Sequence, residues 1–284
     1  MPITPAHAAA VVPLRLWKRC FWLSPLVVGS LAPDFPYYVF PPPSLRHFGH
    51  TFSGLLLFCI PVGLAVLYAF HRHFKRPLAL LLPQPLRAKL WPYCGPFPLL
   101  PLRRLAWIAA LIYLGAVTHV VWDGFTHEND WALREYPRLS AVMTTVAGQE
   151  LHWVGLLQHG SSVLGLGLLA WWSWQWYRRA PAASAPADSE FFRQARLPIA
   201  TAIIALAAGV GTLCGLSYAC RLPGPFKLRE FLASAFITGV DAFGLALLVF
   251  VVAVNVRDWR AARMPHAYRL LRDLSGTPRR QNEQ

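Results

Sequence analysis

Residues 105–127 read LAWIAALIYLGAVTHVVWDGFTH, and this stretch decides the fold. From Leu105 to Trp122 it carries no Asp, Glu, Lys or Arg. A helix needs about 20 mostly apolar residues to cross a bilayer, where no water satisfies backbone N–H and C=O groups. Four other segments have the same character, near 54–72, 155–177, 197–219 and 231–254. Charged residues make up only 14% of the 284, against about 25% in a soluble domain. The sequence therefore predicts an all-α, polytopic membrane helical bundle with about five transmembrane helices. Two shorter apolar stretches, 8–14 and 21–32, flank the basic cluster Arg15, Lys18 and Arg19. Each is too short to cross alone, so an N-terminal helical hairpin, packed at the membrane face or partly re-entrant, is expected.

Charge sets the expected orientation, because loops rich in Lys and Arg stay in the cytoplasm. Between the first two spans lie Arg72, Lys75, Arg76, Arg87, Lys89, Arg103 and Arg104, with no acid among them. The loop 123–154 is acidic instead, through Asp123, Glu128, Asp130, Glu135 and Glu150. Loop 178–196 and the residues after 256 are basic again. The expected arrangement is an inner (cytoplasmic) membrane protein with the 123–154 loop external and the C-terminal tail cytoplasmic. Only the short loop 220–230, with Arg221, Lys227 and Arg229, runs against it. A net charge of +14 raises the question of nucleic acid. These charges fall in short clusters between apolar runs, without a basic stripe interleaved with aromatics, so no nucleic-acid partner is expected.

The N-terminus lacks the order of a signal peptide, since its basic cluster follows the first apolar stretch. Five scattered cysteines without a C-x-x-C pattern suggest packing residues. The proline-rich stretch 77–101 is expected to be a non-helical linker along the cytoplasmic interface. Composition divides the chain into a site-bearing membrane part, 1–179, a flexible linker, 180–196, a two-helix part, 197–256, and a basic tail, 257–284.

Histidine and aspartate gather where the spans end. His119 and Asp123 are four apart on a helix and can point at one ion. His127 continues that face if Gly124 leaves the helix intact. Imidazole and carboxylate are the usual ligands of zinc and similar divalent ions; the plainer reading is a polar cluster capping a helix end. Asp34 lies between Pro33 and Pro36, placed as a ligand, a general base or a turn residue. Of His47 and His50, which lead into the first span, His50 is the better-placed candidate. His159 opens the third span among Gly160, Ser161 and Ser162, small residues that also suit helix packing. No G-x-S-x-G elbow accompanies these serines, which argues against a serine hydrolase. His7 alone would be unremarkable.

TPAHAA near the start, GSLAPDFPY, HTFSG before a helix, THVVWDGFTH and LLQHGSS together resemble a bacterial membrane family, domain of unknown function 4184, over roughly residues 1–180. That family in turn is similar to the LexA-regulated, membrane-bound metal-dependent hydrolases and, distantly, to zinc-dependent phospholipase C. The resemblance implies a metal set drawn from His7, Asp34, His50, His119, Asp123, His127 and His159. The H-x-x-x-E that supplies further ligands in the phospholipases is absent here, which argues against a trinuclear site.

The leading expectation is a metal-dependent hydrolase, zinc-bearing, with membrane lipid as neighbour and a lipid-borne or membrane-adjacent (phospho)ester as substrate. In it Asp34 serves as ligand or catalytic base. The rival is a non-enzymatic membrane protein, a metal or proton transporter or an assembly factor, with a structural polar cluster. A transporter would carry polar groups along a path near mid-bilayer, and the span interiors offer little besides Asp241.

Overall fold

The computed structural model describes residues 4–17, 20, 22–38, 47–127, 131–146, 149–182, 190–223 and 227–263. Most of the basic tail, the centre of the 180–196 linker, and Lys18, Arg19, Glu128, Asp130 and His266 lie outside the described residues. The protein is a membrane helical bundle. Helix α1 (Leu23–Leu31) precedes five helices long and apolar enough to span a bilayer. These are α2 (Phe52–Leu81), α3 (Leu102–Thr126), α4 (Trp153–Arg179), α5 (Glu190–Arg221) and α6 (Leu228–Arg263). Val163, Leu164, Leu213 and Leu245 stand exposed on them, as hydrocarbon-facing side chains do.

Two compact units make up the chain. One comprises Met1–Arg72 and Gly95–Ala183, the other His73–Cys94 and Ser184–Gln284. In the second, α5 and α6 pair antiparallel through small residues, with Gly211 and Gly215 set against Ala235. Arg196 Nε donates to the Leu80 carbonyl at 2.9 Å and Asn255 Nδ2 to that of His73 at 3.0 Å.

The first unit bears the candidate metal ligands. Its N-terminus forms a 3-10 helix, Thr4–Val11, a short helix, Val12–Trp17, and then α1, as the expected paired segments. Helix α1 is fitted closely to α3. A Cβ on Gly29 would run into the Ile112 backbone, and one on Gly115 into the Leu26 carbonyl. Small residues let helix backbones approach in lipid, where no hydrophobic force drives helices together. Val11, Leu26 and Leu111 seal this contact, and Leu67, Ile108 and Ile112 carry it on to α2. Arg104, 4.7 Å from the Trp22 ring, pins the other end of α3.

Two local features differ from expectation. The stretch 77–101 is partly helical: Pro77 lies within α2, and a separate helix covers Gln84–Leu90. Pro85 takes the start of that helix, where its missing N–H costs nothing. Prolines 61 and 77 each follow a π-helical segment, Leu55–Cys59 and Phe70–Phe74, where the wider turn already departs from the regular hydrogen-bond ladder. The loop after α3 holds a two-stranded antiparallel hairpin, β1 (Val142–Val146) with β2 (Gln149–His152), a small exception to the all-helical architecture.

If the α1–α3 approach holds the unit together, Gly115→Ala should destabilise it by about 1–3 kcal/mol through overpacking. Gly167→Ala, where a Cβ meets nothing, should be neutral. Equal thermal denaturation midpoints for the two variants in detergent would contradict this packing.

Candidate metal centre

Each side chain of the cluster is delivered by a local device. Helix α1 runs into a 3-10 turn, Ala32–Tyr38, that carries Asp34. Thr51 caps α2: its hydroxyl accepts from the Gly54 N–H at 3.0 Å and donates to the Phe48 carbonyl at 2.8 Å. His50, the preceding residue, is thereby fixed at the mouth of the span. His119 and Asp123 share one face of α3, whose helix continues through Gly124 to Thr126. His127 ends the helix, its N–H bonded to the Asp123 carbonyl at 2.9 Å.

The three segments converge. His119 Nε2 lies 3.1 Å from Asp123 Oδ2 and 3.5 Å from Asp34 Oδ1. His50 Nε2 lies 3.5 Å from each of the same two oxygens. The ligand atoms of Asp34, His50, His119 and Asp123 all fall within 4.8 Å of one another. Donors bound at about 2.0–2.1 Å to one ion stand roughly 3 Å or more apart, so these four separations are of the size that neighbouring ligands of a single ion show.

The other oxygen of Asp123, Oδ1, faces His7 Nε2 at 3.4 Å and His127 Nδ1 at 3.4 Å. His7 is buried, stacked on His119 with ring centroids 3.9 Å apart and edge-on to Trp122 at 5.4 Å. Burial, then the facing His119 ring, pushes its pKa from 6.5 down to about 4. Burial alone would raise the Asp34 carboxyl, but the adjacent imidazoles of His119 and His50 and the Thr4 hydroxyl outweigh it. They hold Asp34 well below the usual carboxylate range.

Two neighbours orient the ligands. The Ser30 carbonyl, 2.8 Å from His119 Nδ1, can only accept, so that nitrogen carries the proton and Nε2 presents its lone pair to the cluster. Thr4 Oγ1 donates to Asp34 Oδ2 at 2.7 Å, leaving Oδ1 to face the imidazoles. Neither had been singled out in the sequence. Ser30 acts through its backbone, which carries no signal there. Thr4 had one, standing three residues before His7, on the same side of a 3-10 turn.

The donor set fits a metal. Both nitrogens of His7, Asp34 Oδ1, His119 Nε2 and Asp123 Oδ1 are buried without a hydrogen bond among the described residues. Buried groups left so cost about 1–3 kcal/mol each, and a cation bound between Asp34 Oδ1 and His119 Nε2 would offset that for those two atoms. The buried cluster can hold a metal ion. Of the seven predicted ligands, six gather here, His7 and His127 through Asp123 Oδ1. His159 does not. The face of α4 turned inward carries Val154, Ser162 and Gly165, and His159 lies on the exposed side of the helical period. His47 is exposed as well.

A model of the family described as Domain of unknown function (DUF4184) matches residues 1–254, reaching well beyond the 1–180 of the expected resemblance. No curated protein and no solved structure matches the chain.

Purified protein should carry bound metal that His119→Ala and Asp34→Ala lose and His159→Ala keeps, as read by elemental analysis. The same metal content in all four proteins would rule the centre out. Thr4→Val should weaken metal affinity by about 10–100-fold, the usual cost of losing a group that orients a ligand; unaltered affinity would make Thr4 irrelevant.

Proposed function

We propose that this chain, which belongs to the DUF4184 family, is a membrane-bound metal-dependent hydrolase of a lipid-borne or membrane-adjacent ester, most simply a phosphoester. The observation that carries this reading is the convergence of His50 Nε2 and His119 Nε2 on Asp34 Oδ1 and Asp123 Oδ2, at 3.1–3.5 Å. Two imidazoles with two carboxylates suit zinc among the divalent ions. Held by these residues with one coordination position left to solvent, a zinc ion would supply a water acidified to near neutral pH and a Lewis acid for the ester oxygen.

The chain's own residues then have defined tasks. Asp34 is a ligand rather than a base, since Oδ2 is held by Thr4 and Oδ1 faces both His50 and His119. Asp123 divides its oxygens between the ligand set and the pair His7 and His127. His127, with a quarter of its side chain exposed, is placed to pass a proton to bulk water, whereas His7 is sealed behind Trp122. The positive-inside distribution of Lys and Arg supports an inner-membrane location with this site on the external face. A lipid head group could then reach it without leaving the bilayer.

Metal-loaded protein in phospholipid bilayers should hydrolyse phosphoester bonds. Chelation should abolish the activity, and zinc should restore it. Replacing His119 with Ala should lower the rate by at least about a hundredfold. Stoichiometric metal without any ester hydrolysis would favour the transporter or assembly-factor alternative.

A further inference from the structure

Beside the metal centre, in the same unit, lies a cavity of about 430 Å³ walled by Ala10, Val117, Val121, Phe125 and Leu157. Its volume falls in the range of small-molecule sites. Four polar side chains also line it, and each spends its donor inside the wall. Thr118 Oγ1 donates to the Gly115 carbonyl at 2.7 Å and Thr126 Oγ1 to that of Trp122 at 3.2 Å. Trp122 Nε1 donates to Ser161 Oγ at 3.1 Å, and Ser161 in turn to the Gln158 carbonyl at 3.4 Å. No donor is left to greet a polar guest, so the occupant that fits is hydrocarbon. The cavity opens between α3 and α4, two membrane-spanning helices, where the hydrocarbon at hand is a lipid tail.

Trp122 joins this cavity to the metal centre. Its indole forms part of the wall and packs at an angle against the His7 ring, centroids 5.4 Å apart, and Asp123 is the next residue. We propose that the cavity binds the fatty-acyl chain of a lipid whose head group lies at the Asp34–His50–His119–Asp123 cluster. This rests on the hydrolase reading and narrows its substrate to an acyl lipid. Amphiphiles without a long tail would reach the cluster but gain nothing from the groove.

The test uses full-length protein in phosphatidylcholine nanodiscs containing a phospholipid with a photoreactive diazirine near the end of its acyl chain. Cross-linking should concentrate on peptides carrying Val117–Phe125 and Leu157. The exposed residues Val121 and Leu157 can each be enlarged without disturbing the core, as Val121→Trp and Leu157→Trp. Each should cut that labelling by about tenfold, as expected for excluding roughly two methylenes, with metal content unchanged. Labelling that is undiminished in both variants, or spread evenly over all five spans, would overturn the acyl site. The two readings fail separately. Labelling sensitive to both tryptophans in a metal-loaded protein that cleaves no ester would sink the hydrolase and leave the groove standing. Cleavage of a long-chain lipid and of p-nitrophenyl phosphate, both unaltered by the variants, would do the reverse.

Discussion

The site depends on how closely α1 can approach α3. Only because Gly29 and Gly115 offer no side chain does the α1 backbone come near enough for the Ser30 carbonyl to meet His119 Nδ1 at 2.8 Å. That one bond settles which nitrogen of His119 is protonated and turns the other toward Asp34 and Asp123. The 3-10 turn that follows α1 then places Asp34 opposite, and the same packing leaves the Thr4–Val11 segment lying against His119 through His7. A larger side chain at either glycine would separate two halves of the ligand set that lie far apart in the chain.

Burying two aspartates and two imidazoles at the end of a membrane-spanning helix is costly unless something satisfies them. The described neighbours satisfy the outer atoms: Thr4 holds Asp34 Oδ2, Ser30 holds His119 Nδ1. The inner atoms are left facing one another at 3.1–3.5 Å. That pattern distinguishes a cation cradle from a helix cap. A capping carboxylate would accept backbone N–H groups, whereas Asp34 Oδ1 and Asp123 Oδ1 accept no hydrogen bond from the described residues. Asp123 serves both sides of the cluster, so it joins the buried ligand set to the more exposed His127.

Legibility in the sequence followed the range of the interaction. The five spans were readable because hydropathy over about 20 residues is a local property, although the helices extend past their apolar windows; α6 runs to Arg263, beyond the expected end near 254. The hairpin of β1 and β2 escaped notice because its strands are only five and four residues long and largely exposed, so no buried face imposes an alternating pattern. The helix across Pro77 did so because a π segment ahead of it changes what a proline costs. His119 and Asp123 followed from spacing four on a helix. Asp34 was marked by its flanking prolines, whereas His7, unremarkable alone, entered the ligand set through a family resemblance, since it has no periodic neighbour to point at it. His159 misled because its motif gives its place along α4 and says nothing of its angle around the axis.

The sequence by itself determined the class of protein, the length and position of its spans and the helical spacing of its sharpest pair. These follow from the water-free interior of a bilayer and from the geometry of a single helix. Tertiary structure decided which oxygen faces which imidazole, that Thr4 and the Ser30 carbonyl orient the ligands, and that His159 stays outside. Those outcomes rest on contacts between segments as distant in the chain as His7 and Asp123. Such contacts are set by side-chain fit between helices, which no window along a single chain contains.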